Sequence, residues 1–257
     1  MIDLHAHILP AVDDGPRDTE AAVEMARAAV AGGTRAMATT CHIEARLRLG
    51  PAELGPARSA LAERLRGEGI ELELLQGGEV APARLGDLDD ATLSALTLGR
   101  GRYVLLECPF TPIPATMPAM ISGLQRRGFE VLLAHPERSP SFQRDPLLLA
   151  PLVDMGALAQ LTTSSLTGAF GGVPRRTALR MLEEGLAHVL ASDAHDAVAR
   201  PPDLRGAAPA VGEERFAWMT EAVPEAIVTG QPAPAAPDSP PLTRGGLRGR
   251  LRAWSRR

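Results

Sequence analysis

Ile2-Asp3-Leu4-His5-Ala6-His7 is a short apolar run that closes on two histidines set two apart, and its reading decides the fold. Residues two apart on a strand point to the same face, so both imidazoles can reach one metal ion from one wall. The pair is ambiguous alone, and its weight depends on how the other strands end. Strand-length runs follow at residues 36–39, 72–76, 103–107, 130–134, 159–161 and 188–191, which with 2–6 makes seven. Helical segments lie between them. Asp18 can cap a helix that carries Val23, Ala26 and Val30 and stops at Gly32-Gly33, and others span residues 54–65, 117–127 and 175–184, each ahead of a glycine. Strand then helix, repeated over about 230 residues, predicts a parallel sheet closed into a barrel, with an open doubly wound sheet as the alternative.

The chemistry-bearing residues fall at the carboxyl ends of these strands. Asp14 lies in the loop after the first, His42 past the second, Glu79 past the third, Glu107 at the end of the fourth, His135 past the fifth, and Asp193 and His195 past the last. That is the face on which barrel enzymes assemble their sites. Five of the six histidines belong to this set; the sixth, His188, begins its strand at the opposite end and reads as structural. With His5 and His7 the set holds nine N/O ligands. One catalytic zinc takes about three, so two or three ions sharing carboxylates would use them all. No thiolate takes part, which leaves manganese, iron or zinc.

Arg138, in His135-Pro136-Glu137-Arg138, and Arg200 stand close to ligands. Guanidinium forks match phosphate geometry, so metals and arginines at one mouth suggest a phosphate ester. Glu137 reads either as a partner of His135 or as a helix-start carboxylate. The hydroxyls of residues 162–168 read as helix caps before substrate contacts. Cys41 should point away from the face His42 uses and pack. A cysteine phosphatase needs an arginine six residues after its nucleophile, and positions 47 and 114 are Leu and Pro.

Composition narrows the field further. All 27 basic residues of the 257 are arginine, against 31 acids, for a net charge of −4. Without lysine there is no Walker A loop, no pyridoxal Schiff base and no lysine general base. Five Phe, two Trp and one Tyr are too few for a base-stacking platform, so nucleic acid is disfavoured as a partner. Two distant cysteines suggest neither a disulfide framework nor a structural zinc site. No signal-peptide pattern or run of about 18 apolar residues is visible, and the cytoplasm is the default location. Residues 1–230 would form the barrel and 231–243 a proline-rich linker. Residues 244–257 form an arginine-rich tail, where Leu247, Leu251 and Trp254 could line a short amphipathic helix with weak contact to an anionic membrane surface.

Several blocks carry a family resemblance: Met1-Ile2-Asp3-Leu4-His5-Ala6-His7-Ile8-Leu9-Pro10 with Asp13-Asp14-Gly15, Thr40-Cys41-His42, Gly78-Glu79, Leu106-Glu107-Cys108-Pro109-Phe110, Ala134-His135-Pro136-Glu137-Arg138 and Ala191-Ser192-Asp193-Ala194-His195. In order, they resemble the bacterial PHP-domain (polymerase and histidinol phosphatase-like) manganese-dependent protein-tyrosine phosphatases of capsule and exopolysaccharide operons. The resemblance implies a distorted (β/α)7 TIM-like barrel, α/β in class, with a trinuclear centre. His5, His7, Glu79 and Asp193 would hold one ion, Glu79, Glu107 and His135 a second, and Asp14, His42 and His195 a third. Arg138 and Arg200 would grip phosphate. It also implies hydrolysis by metal-bound hydroxide without a cysteine nucleophile, and a phosphotyrosine substrate on a membrane-associated tyrosine kinase of polysaccharide export. Departures from the family pattern are Ala6, Cys41, Cys108 and the charged Glu44, Arg46 and Arg48, which bear on substrate preference. Two other readings are a PHP phosphoesterase for a small ester such as histidinol phosphate, and a kinase- or membrane-docking adaptor.

Overall fold

The computed structural model of the protein describes residues 1–47 and 49–237. The tail, with the stripe expected on Leu247, Leu251 and Trp254, lies outside the described residues. Among the described residues there are nine strand segments: β1 (Ile2–Ala6), β2 (Ala36–Thr39), β3 (His42–Ile43), β4 (Glu73–Leu75), β5 (Glu79–Val80), β6 (Tyr103–Glu107), β7 (Glu130–Ala134), β8 (Leu158–Thr162) and β9 (Val189–Ala191). Every pairing between them is parallel. Residues 104–106 and 131–133, in the middle of β6 and β7, are apolar and fully buried, as strands covered on both faces must be.

The segments reduce to the seven expected strand positions. β3 continues β2 and β5 continues β4 after short interruptions, so one sheet ordered β1-β2-β4 passes into another ordered β3-β5-β6-β7-β8-β9. Hydrogen bonds from Thr40 N–H to Ala6 O (3.0 Å) and from Glu79 N–H to Cys41 O (3.1 Å) carry the ladder through those breaks. An open sheet would leave β1 and β9 on separate edges. Here His7 N–H donates to Ala194 O and Asp193 N–H to His5 O, both at 2.8 Å, so the first strand meets the segment that follows the last.

The Asp18 cap forms, its Oδ1 accepting from Ala21 N–H at 2.9 Å ahead of helix Thr19–Ala31. The other expected helices are Pro51–Gly67, Met117–Arg126 and Gly172–Glu183. The helical stretch from Glu213–Ala217 through Val223–Thr229 was not expected. It buries Met219, Val223 and Ile227 completely beneath the amino ends of the strands. Gly101 makes that approach possible, since a Cβ there would lie 1.8 Å from the Ile227 carbonyl oxygen. After it the chain folds back, and Trp218 Nε1–H donates to Pro234 O at 3.1 Å, so the start of the proline-rich stretch packs on the barrel.

His188 has the structural role its position suggested. Its backbone N–H donates to Ala159 O (2.9 Å), and its ring Nδ1 accepts the Ala159 N–H (3.2 Å). Burial lowers its pKa to about 4, and protonation would also remove that acceptor. The unfolded chain titrates this group near 6.5 and therefore binds more protons between about pH 6.5 and 4, so stability falls as pH drops through that window. His188→Gln should remove roughly 2 kcal/mol of the stability lost between pH 7 and pH 5. Urea unfolding of both proteins at the two pH values tests this, and identical pH dependence would contradict it.

Candidate metal centre

The nine predicted residues stand at the carboxyl mouth of the barrel, and what orients them lies partly outside that set. Asp13 Oδ2 accepts from His7 Nδ1–H at 2.7 Å and from His42 N–H at 3.0 Å. Gln160, wholly buried on β8, accepts from His5 Nδ1–H at 2.9 Å. The Asp193 carbonyl accepts from His195 Nδ1–H at 3.0 Å. Each acceptor engages the Nδ1–H and so leaves Nε2 facing inward. Gly15 lets the Asp13-Asp14 loop close over His7, because a Cβ there would meet the His7 carbonyl oxygen at 2.2 Å.

Three groups of potential ligand atoms result: His7, Asp14, His42 and His195; His5, His7 and Asp193; and His5, Glu79 and His135. His5 Nε2 lies 3.3 Å from His7 Nε2, 3.4 Å from Glu79 Oε2 and 3.5 Å from Asp193 Oδ1. Asp14 Oδ1 lies 3.5 Å from His42 Nε2 and 3.3 Å from His195 Nε2. Two ligands of one ion at bond lengths near 2.1 Å stand about 3 to 3.5 Å apart, so these spacings suit divalent cations. Among the buried side-chain atoms without a well-aligned hydrogen bond is Glu79 Oε2, which has three imidazole nitrogens around it, His42 Nδ1 at 2.9 Å, His5 Nε2 at 3.4 Å and His7 Nε2 at 3.5 Å, as a carboxylate oxygen meant for an ion would have. Glu107, expected with Glu79 and His135, is in none of the three groups. Burial and the neighbouring Glu79 carboxylate raise its pKa.

Asp193 joins this cluster to the arginines. Oδ1 faces His5 and His7, whereas Oδ2 accepts from Arg138 Nη1 and from Arg200 Nη2, the latter at 2.7 Å. Its backbone is left-handed at φ +52°, as is that of His135 at +35°, and these turns direct both side chains back over the mouth. Asp3 braces the Asp193 turn from inside the barrel, accepting from the hydroxyl of Ser192, from Ser192 N–H (3.1 Å) and from His5 N–H (3.2 Å). Burial raises the Asp3 pKa to about 6 against the pull of those hydrogen bonds. Glu137 also proves structural. Fully buried, its Oε1 accepts from Thr162 N–H (2.9 Å) and Ser165 Oγ–H (2.7 Å), so the start of helix Thr163–Thr167 is capped by this glutamate rather than by the Thr162 hydroxyl. Cys41 and Cys108 are free and buried, with burial raising both thiol pKa values. Neither suits a nucleophile.

Burial opposes charge on His5 and His7, but Glu79 and Asp193 beside the first and Asp13 and Glu79 beside the second outweigh it, holding both imidazoles at about 9. A divalent ion entering the cluster displaces those protons.

The nest of imidazoles and carboxylates thus stands at the carboxyl mouth of a parallel barrel, the face on which such folds assemble their active sites. The capsular polysaccharide synthesis family CpsB/CapC matches residues 1–226, and the chain belongs to that family. It is 40% identical over 201 residues to the tyrosine-protein phosphatase YwqE of Bacillus subtilis strain 168, covering 78% of this chain and 79% of that protein. It is 32% identical over 208 residues to the putative tyrosine-protein phosphatase CapC of Staphylococcus aureus, with the same coverage. A crystal structure from work on YwqE and on CpsB of Streptococcus pneumoniae, described as unique metal-dependent tyrosine phosphatases, superposes with a TM-score of 0.83. Its identity is 34%, covering 95% of this chain and all of that one.

Among the residues that matter here, sequence reasoning missed Asp13 and Gln160. Asp13 lies in the Asp13-Asp14-Gly15 motif, and Gln160 is the polar residue of the strand run 159–161. Asp13→Ala and Gln160→Leu should each weaken divalent-metal binding about 10- to 100-fold, measured by chelator competition, although neither touches the ion. Unchanged affinity would contradict the orienting role. Metal uptake at pH 7 should release protons, and apparent affinity should fall as pH is lowered.

Proposed function

We propose that the chain is a metal-dependent protein-tyrosine phosphatase whose nine mouth residues, His5, His7, Asp14, His42, Glu79, Glu107, His135, Asp193 and His195, hold two or three divalent ions. Manganese is the cation proposed. The observation that carries the reading is the double engagement of Asp193, which sets Arg138 and Arg200 one carboxylate away from the imidazole cluster. The relatives named as tyrosine-protein phosphatases support it.

Bound ions would supply Lewis acidity and an acidified water for attack on phosphorus. The chain's residues do the rest. Arg138 and Arg200 turn their guanidinium donors toward a phosphoryl group and offset the charge that builds on its equatorial oxygens. His5, His7 and His195 keep Nε2 inward because their Nδ1 protons are committed elsewhere. A tyrosyl leaving oxygen, with an ordinary pKa near 10, departs with little proton donation, and a serine alkoxide does not. Both cysteines stay outside the reaction.

The substrate proposed is a phosphotyrosine protein, in particular a membrane-associated tyrosine kinase of polysaccharide export, met at the cytoplasmic face. Among the described residues no helix is long and apolar enough to cross a membrane. The basic tail would add weak contact with anionic lipid.

The manganese-loaded protein should hydrolyse a phosphotyrosine peptide far faster than histidinol phosphate. His42→Ala and Asp193→Ala should abolish turnover, and Arg138→Ala should lower kcat/KM roughly 100-fold. A Cys41→Ala/Cys108→Ala double variant should remain active. Turnover that persists in a metal-stripped preparation with EDTA would sink the proposal.

A further inference from the structure

Two of the chain's five phenylalanines stand at the mouth of the cluster, where no part of the mechanism above uses them. Phe110, in the loop after β6, is 51% exposed and stacks on the His135 ring with centroids 5.5 Å apart and planes 19° from parallel. Phe170 follows helix Thr163–Thr167. The Arg138 guanidinium carbon lies between the two rings, 4.8 Å from the Phe110 centroid and 4.4 Å from that of Phe170. The Arg200 guanidinium carbon is 5.8 Å from the Phe170 centroid. In a chain so poor in aromatics, an exposed ring laid against a candidate ligand and a candidate phosphate-binding arginine is a feature that packing alone does not require.

We infer that Phe110 and Phe170 form an aromatic clamp around Arg138 whose exposed Phe110 side receives the phenyl ring of an aryl phosphate, with Phe110 the residue that selects aryl over alkyl esters. This rests on the phosphatase reading and deepens it. A phosphoryl group seated at Arg138 and Arg200 carries its ester substituent out through the mouth, and the ring of a tyrosyl ester then meets a half-exposed aromatic face. Offset or edge-on pairing of two rings adds stabilisation that an alkyl group cannot match. Arg138, held between two π-faces, keeps its fork in place while one ring remains available to substrate.

The alternative is that the rings only hold Arg138. Binding of benzylphosphonate, whose methylene stands where a phenyl ester has oxygen, and of ethylphosphonate to the metal-loaded protein separates the two roles by calorimetry. Phe110→Leu should weaken benzylphosphonate about three- to tenfold and leave ethylphosphonate within twofold, and Phe110→Trp should keep the aryl preference. Equal weakening of both ligands would show that the ring serves only Arg138, and no weakening of either would remove Phe110 from recognition; each result overturns the clamp. The phosphatase reading fails separately, if the wild-type protein turns over no phosphotyrosine peptide, because the ratio of the two phosphonate affinities is read without catalysis.

Discussion

Two backbone hydrogen bonds, Asp193 N–H to His5 O and His7 N–H to Ala194 O, close the barrel and assemble the centre in the same place. Four of the nine candidate ligands, His5, His7, Asp193 and His195, come from the strands or strand ends that meet there. Asp3 sits beneath this seam and ties β1 to the turn after β9, so the left-handed Asp193 backbone is held by the element that carries its histidine neighbours. Strain at that turn is offset locally, and the carboxylate it aims can serve imidazoles on one oxygen and guanidiniums on the other.

The remaining ligands are delivered by parallel topology. Every strand in a parallel barrel ends at the same mouth, so residues far apart in sequence converge without long loops. The electrostatic demand of the result is considerable. Five imidazoles, four of the chain's carboxylates and two arginines share a small volume, and burial opposes charge on most of them. Mutual pairing holds Glu79 and Asp193 ionised well below the ordinary carboxylate range. Divalent cations in place of imidazole protons would complete the balance.

Much of this was legible in the sequence, for identifiable reasons. Parallel strands buried on both faces, such as β6 and β7, are short apolar runs, and the other strand positions could be read from their length and spacing even where a polar residue such as Asp3 or Glu73 interrupts them. The candidate ligands could be found because each lies at or past the carboxyl end of such a run. Tertiary partners were harder to see. Gln160 looked like an interruption in a strand, and only the fold sets it against His5, 155 residues away. Glu137 was ambiguous because its partners, Thr162 and Ser165, lie on another strand end and helix. The helical stretch from Glu213–Ala217 through Val223–Thr229 was missed because no strand follows it to complete a repeat. The aromatic clamp left no periodic signal, since Phe110 and Phe170 come from separate loops.

The central claim is that the imidazole and carboxylate nest at the β1–β9 seam is a metal centre facing two phosphate-binding arginines. Anomalous diffraction from crystals grown with manganese and inorganic phosphate tests it most directly. The account predicts anomalous peaks within about 2.0 to 2.3 Å of nitrogen and oxygen atoms of His5, His7, Asp14, His42, Glu79, Glu107, His135, Asp193 and His195, with phosphate between them and Arg138 and Arg200. Well-ordered side chains at the seam with no anomalous signal among them, or manganese bound only elsewhere on the protein, would contradict it.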